Sequence, residues 1–187
     1  REGSNNAAFD SLLATGEDVE PLVRSLNEWR EPSTWLMYRV RLEGKEMYSM
    51  DAKAIRRKEI DGLYDLASMY LQATSRILAS GAEDEGSMRV AIDAGYNAIE
   101  LCAKAFLLSR LDTLPKSHGG VKTLFSDHFV KSGVLPREFG RRLSHCLRYR
   151  NEARYDPAAE VTKSRAEAVA AFAVEMVESL EKYMEKS

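Results

Sequence analysis

Apolar positions return at three- and four-residue intervals through most of the chain beyond residue 50, the signature of amphipathic helices. In residues 52–79, Ile55, Ile60, Leu63, Leu66, Tyr70, Ile77 and Leu78 keep this spacing, and Ser80-Gly81 stops the run. Residues 87–112 read as a second helix, apolar around most of its girth, with Arg89, Asp93, Asn97, Glu100 and Lys104 as its one polar stripe. A helix apolar on most sides sits centrally in its domain, and Ala91, Ala94, Gly95 and Ala98 would let a neighbour approach closely. After the connection Pro115 to Gly120, a shorter helix is expected to about Lys131, with a stop at Gly133. Pro136 opens a helix to about Glu152, and Asp156-Pro157 ends it, because the residue before a proline is pushed out of the helical region. A last helix over 159–185 carries Val161, Ala168, Phe172, Val174, Val177, Leu180 and Met184. Five helices joined by short loops predict an all-α, up-and-down bundle.

The first 50 residues have a different texture. Residues 7–30 carry a weaker helical pattern with Leu12, Leu13, Val19, Leu22, Val23, Leu26 and Trp29, and Pro32 interrupts it. Trp35 to Leu42 is rich in aromatic and branched residues. Across Glu43-Gly44-Lys45 it can pair with Met47 to Met50 as a short β-hairpin. A boundary near residue 50 therefore separates an N-terminal extension, 1–50, from a helical domain, 51–187. The polar start, Arg1 to Asn6, opens without a methionine and carries no fold signal.

Composition narrows the function classes. Of 187 residues, 44% are hydrophobic and 30% charged, which argues against wholesale disorder. With 27 Lys+Arg against 29 Asp+Glu the net charge is -2, so a globally basic nucleic-acid binder is not expected, although a local basic patch remains open. No apolar run reaches the roughly 18 residues of a membrane span and no signal peptide pattern opens the chain, so the expected location is the cytoplasm, with no membrane partner. Cys102 and Cys146 lack metal-ligand spacing and fall on apolar faces as core thiols.

The local basic patch lies in residues 137–154, where six arginines face two glutamates, a net charge of +4. On a helical wheel of about 100° per residue, Phe139, Leu143, Cys146 and Leu147 form the buried face. Arg137, Arg141 and Arg148 fall opposite, on a solvated stripe. Arg150 is different: it lies about 20° from Phe139, within the apolar face, with Arg154 beside it. A guanidinium there must meet an acid, for which Asp93 and Glu100 are available, snorkel to water, face another subunit, or meet phosphate in a cleft.

Other candidates are weaker. His145 lies on the flank of the same helix near Arg142 and Tyr149, His118 precedes Gly119-Gly120 as a loop histidine bonded to backbone, and His128 has no evident partner. None of the three is spaced with another ligand type as a metal site requires, so neither a metal nor a cofactor is expected. Gly-rich phosphate loops and G-x-S-x-G elbows are absent.

Three stretches together resemble the HEPN family, small all-helical domains of prokaryotic toxin–antitoxin and RNA-processing systems. Ala94-Gly95-Tyr96-Asn97-Ala98 through Ala105-Phe106-Leu107-Leu108 is similar to the family's second helix. Lys116-Ser117-His118-Gly119-Gly120-Val121, with Leu124-Phe125, His128-Phe129-Val130-Lys131 and Gly133, resembles the loop and third helix of one HEPN branch. Arg148-Tyr149-Arg150-Asn151-Glu152-Ala153-Arg154-Tyr155-Asp156 is similar to that branch's arginine-to-tyrosine segment. The resemblance spans about residues 52–186.

The resemblance implies a dimer in which two arginine segments face one cleft, which would complete the apolar face around Arg150. It also implies metal-independent RNA cleavage in nuclease members, with a histidine four to six residues after the arginine moving protons. Here Arg150-Asn151 matches the start, but Tyr155 stands in the histidine's place, and Arg141 and His145 are separated by only three residues. A tyrosine with a pKa near 10 is a poor general base at neutral pH. The expectation is therefore binding of RNA or a nucleotide without efficient catalysis, through Arg150, Asn151, Arg154, Tyr155, Asp93 and Asn97. The alternatives are an endoribonuclease using Arg150 with Tyr155 or His145, and a structural module whose arginine helix is a protein interface. The resemblance further implies a minimal nucleotidyltransferase as partner, with residues 1–50 as the tail of such a domain. No Gly-Ser followed by a spaced Asp-x-Asp supplies that enzyme's metal site here.

Overall fold

The computed structural model describes residues 29–31, 33–44 and 51–185. The chain divides into two compact units, residues 1–49 and 50–187, each taken by itself below. All but the last two residues of the 7–30 helical pattern, and the expected strand Met47–Met50, lie outside the described residues.

In the first unit, helix α1 runs Trp35–Glu43. This corrects the hairpin expectation, since its first strand is helical. Local chemistry accounts for the outcome. The Thr34 hydroxyl accepts from the Met37 amide at 3.3 Å, the Arg39–Glu43 pair closes at 2.6 Å one turn apart, and Trp35 stacks on Tyr38 at 5.3 Å. These i to i+3 and i+4 contacts exist only in a helix, and they outweigh the strand preference of the branched and aromatic residues.

The second unit contains α2 (Ala52–Ala79), α3 (Glu85–Leu108), α4 (His118–Phe125), a π-helical turn (Ser126–Val130), α5 (Arg137–Tyr155) and α6 (Lys163–Met184). Among the described residues there is no strand. Helix α2 keeps its expected bounds and ends before Gly81, whose φ of 75° suits the left-handed turn there. Helix α3 starts two residues earlier than its periodicity indicates, because the Asp84 carboxylate accepts from the Ser87 amide at 2.9 Å.

Helix α3 is central and packs against α2, α4, α5 and α6. Its small residues permit this: a Cβ on Gly95 would come within 2.8 Å of Val169 on α6 and 3.5 Å of Thr74 on α2. Phe106, Phe125, Phe129 and Tyr183 form one aromatic cluster with centroid separations from 5.0 to 5.8 Å. Each fully buried phenylalanine there stabilises the fold by roughly 1.5–3 kcal/mol. The expected continuous helix to Lys131 instead widens at Ser126, where the Lys131 amide bonds the Ser126 carbonyl at 2.8 Å.

Candidate functional site

The apolar face of α5 turns Phe139, Leu143 and Cys146 into the core, and Arg150 goes with them. Its side chain is 6% exposed. The polar stripe of α3 meets it: Arg150 Nε donates to Asp93 Oδ1 at 3.2 Å. Arg150 Nη1 donates to Asn151 Oδ1 at 3.2 Å and to the Tyr155 hydroxyl at 3.4 Å. Arg154 Nη1 donates to both oxygens of the same Asp93, at 3.2 and 3.4 Å. Two guanidinium groups thus share one carboxylate, leaving a local excess of one positive charge. Both lie near the Tyr155 ring, at 5.3 and 5.9 Å from its centroid, and that ring is 67% exposed.

The end of α5 is held in place by Arg89 of α3. Its Nη1 donates to the carbonyls of Ala153 at 2.7 Å and Asp156 at 3.1 Å, and its Nη2 to that of Ala159 at 3.2 Å. A cation on the last carbonyls of a helix completes their hydrogen bonding and opposes the helix dipole. Arg89, Arg154 and Tyr155 line an open groove of about 500 Å³ with Glu85, Gly86 and Pro157.

Of the site residues expected from the sequence, the structure brings Asp93, Arg150, Asn151, Arg154 and Tyr155 together. Asn97 lies one turn further along α3 and lines a different groove, with Glu100, Lys104 and His118. His145 is exposed and outside the cluster. The second acid considered for Arg150, Glu100, is instead engaged by Lys104 at 2.9 Å and by His118 Nδ1 at 2.6 Å. His118 is therefore not a backbone-bonded loop histidine. It is the first residue of α4, paired with a carboxylate that is itself almost fully buried. The sequence contains one hint of this, an acid in the stripe of an otherwise apolar helix.

Tyr96 joins the two clusters. Arg150 Cζ lies 6.0 Å from its ring centroid, and the His118 ring meets it edge-on at 5.9 Å. Burial, then the charge of Glu100, pushes its phenol above the ordinary value, so it is neutral at physiological pH. Burial likewise pushes Cys102 and Cys146 up to about 12, which leaves both as unreactive thiols. Among the described residues no group of three or more His, Cys, Asp or Glu is placed to hold a metal ion, and no helix is long and apolar enough to cross a membrane.

Fold and site together define an all-helical domain with a buried arginine that shares its acid with a second arginine at the domain's edge. The HEPN domain model matches residues 67–183, more than half of the chain, and the chain belongs to the HEPN family. Among its relatives is a protein of Methanocaldococcus jannaschii named "Putative toxin MJ0142", 30% identical over 111 residues, which cover 59% of this chain and 71% of the relative. Another is UPF0332 protein glr0978 of Gloeobacter violaceus, 40% identical over 92 residues, or 49% of this chain and 68% of the relative.

Proposed function

We propose that the chain binds RNA or a nucleotide through Arg150, Asn151, Arg154 and Tyr155, in a cleft completed by a second copy of the chain, as one component of a toxin–antitoxin or nucleotidyltransferase pair. The observation that carries this reading is the sharing of Asp93 by two arginines beside an exposed aromatic ring. One carboxylate neutralises one guanidinium, so the other retains its attraction for a phosphate, and Tyr155 offers a face on which a base stacks. Arg150 is the fixed element, held from three directions, and Arg154, 48% exposed, is the one that reaches the ligand. The name of the Methanocaldococcus relative supports a toxin-like role. With Tyr155 where a histidine would stand, the arginine segment taken alone serves binding rather than proton transfer.

The test is binding of a pooled tRNA fraction in EDTA, comparing wild type with Arg150→Ala and with Arg137→Ala, an exposed arginine at the other end of α5. The reading expects at least a tenfold loss for Arg150→Ala and less than a twofold change for Arg137→Ala. Equal affinities in folded proteins sink it, and a dimer weakened by Arg150→Ala without any RNA binding would point to a protein interface instead.

A further inference from the structure

Helix α2 has a second face that the core of its domain leaves open. Its core side carries Ile60, Ala67 and Thr74, seven residues apart and all buried. Roughly 120° around the helix, Glu59, Gly62, Leu66, Met69, Ala73 and Arg76 follow at intervals of three, four, three, four and three, and all six are exposed. That is the spacing of residues which share one helical face and meet another helix. At its centre Leu66 is 43% and Met69 63% exposed.

The order of residues along this stripe selects what can cover it. Read from either end, it runs charged, small, large, large, small, charged, with the same intervals, and the two ends are of opposite sign. A twofold axis crossing α2 between Leu66 and Met69 sets Leu66 against the second copy's Met69, Gly62 against its Ala73 and Glu59 against its Arg76, and makes each contact twice. A parallel pairing would set Glu59 on Glu59 and Arg76 on Arg76, which repel. Neither Glu59 nor Arg76 forms an ion pair with any described residue, whereas on the same helix Arg56 is paired with Asp112 and Arg57 with Asp61. A glycine inside a helix costs stability, and a Cβ on Gly62 would meet nothing within 4 Å, so packing inside the domain does not require it. Close approach of a second helix backbone does.

We propose that α2 docks on α2 of a second copy of the chain as an antiparallel, twofold pair, with Leu66 and Met69 at its centre and a Glu59–Arg76 ion pair at each end. The apolar centre supplies the association, and the end charges fix direction and register. The stripe runs about 25 Å along the helix at about 1.5 Å per residue. A single helix pair of that length is a small interface, so the association is reversible and depends on concentration. The contact shares no residue with the cluster of Asp93, Arg150, Arg154 and Tyr155, so it goes beyond the RNA-binding reading and stands without it.

The experiment is sedimentation equilibrium of the full chain without RNA, for wild type, Met69→Lys, Glu59→Arg, Arg76→Glu and a one-to-one mixture of the last two. Wild type is expected to self-associate. Met69→Lys should weaken the association about 10²-fold or more, because two ammonium groups enter the apolar centre. Each charge reversal alone should weaken it about tenfold, because like charges then meet at both ends. The mixture should recover wild-type association, since every end again joins an acid to a base, a rescue that only opposed positions 59 and 76 give. Glu178→Arg, on the exposed side of α6, should match wild type. The substituted positions are all exposed, so the variants should keep the helical circular dichroism of wild type. A wild type that stays monomeric, self-association indifferent to Met69→Lys, or single reversals that mixing does not rescue overturns the proposal. Pooled tRNA added to the same preparations keeps the two readings apart: a wild type that self-associates but binds no RNA sinks the binding reading alone.

Discussion

Helix α5 carries two arginines whose fates differ two turns apart. Arg142 faces Glu175 of α6 with two hydrogen bonds, at 2.5 and 2.8 Å, and its Cζ lies 4.5 Å from the Phe172 ring centroid. That arginine is matched one to one and glues α5 to α6. Arg150 is more deeply buried, yet it shares its one acid with Arg154 and turns its Nη1 to Asn151 and Tyr155. A purely structural arginine needs no second cation on its acid. The difference separates an arginine placed for packing from one placed beside a charge that remains to be neutralised.

The comparison breaks most visibly at Arg150. Arg150→Ala should destabilise the protein by about 2–3 kcal/mol, somewhat below the roughly 3–5 kcal/mol of a fully buried broken pair, because Asp93 stays partly hydrated and retains Arg154. At about 2–4 °C per kcal/mol for a chain of this size, a thermal melt resolves the shift. Asp93→Asn sharpens the contrast by pulling stability and affinity apart. Its Tm should fall, while RNA affinity at low salt should rise several-fold, because the exposed Arg154 guanidinium is freed for phosphate and the positive charge of Arg150 is no longer offset. A fall in both, in a folded protein, would mean that Asp93 positions Arg150 more than it competes for it.

Arg142→Ala should cost about 1 kcal/mol, small because both partners of the ion pair are partly exposed, and should leave RNA affinity within twofold. The smallest effect is in pH. The hydrogen bond from Arg142, with its charge in support, holds the Glu175 carboxyl below its ordinary value of 4.5 against the opposing effect of burial. A carboxyl lowered in the folded state stabilises the protein above its unfolded value, and the contribution is lost as pH falls through the folded one. The Tm gap between wild type and Arg142→Ala should therefore be full at neutral pH and narrow below about pH 4.5. A gap that persists at lower pH would assign the stabilisation to Phe172 stacking instead.

Much of the helical unit was legible in the sequence because its cause is periodic. The bounds of α2, the centrality of α3 and the inward turn of Arg150 follow from which residues share a helical face, and Asp93 was one of two acids available to meet it. What periodicity cannot carry is the choice between partners. Asp93 and Glu100 occupy the same stripe, and only the packing of α4 against α3 gives Glu100 to His118. Nor does a helical wheel show that Arg89 spends its donors on the carbonyls at the end of another helix. Residues 35–42 misled for a different reason: a strand-like composition lost to capping and one-turn contacts that composition does not report.

The excess charge at Asp93, Arg150 and Arg154 is what a phosphate would meet, and the salt dependence of binding reads that charge. The measurement is the slope of log Kobs against log salt concentration for pooled tRNA in EDTA, in wild type and in Arg154→Ala. Arg154→Ala should weaken binding and make the slope shallower by about 0.7–0.9, the loss of one phosphate contact. An unchanged slope and affinity in the folded variant would contradict it and return the arginine helix to a purely structural role.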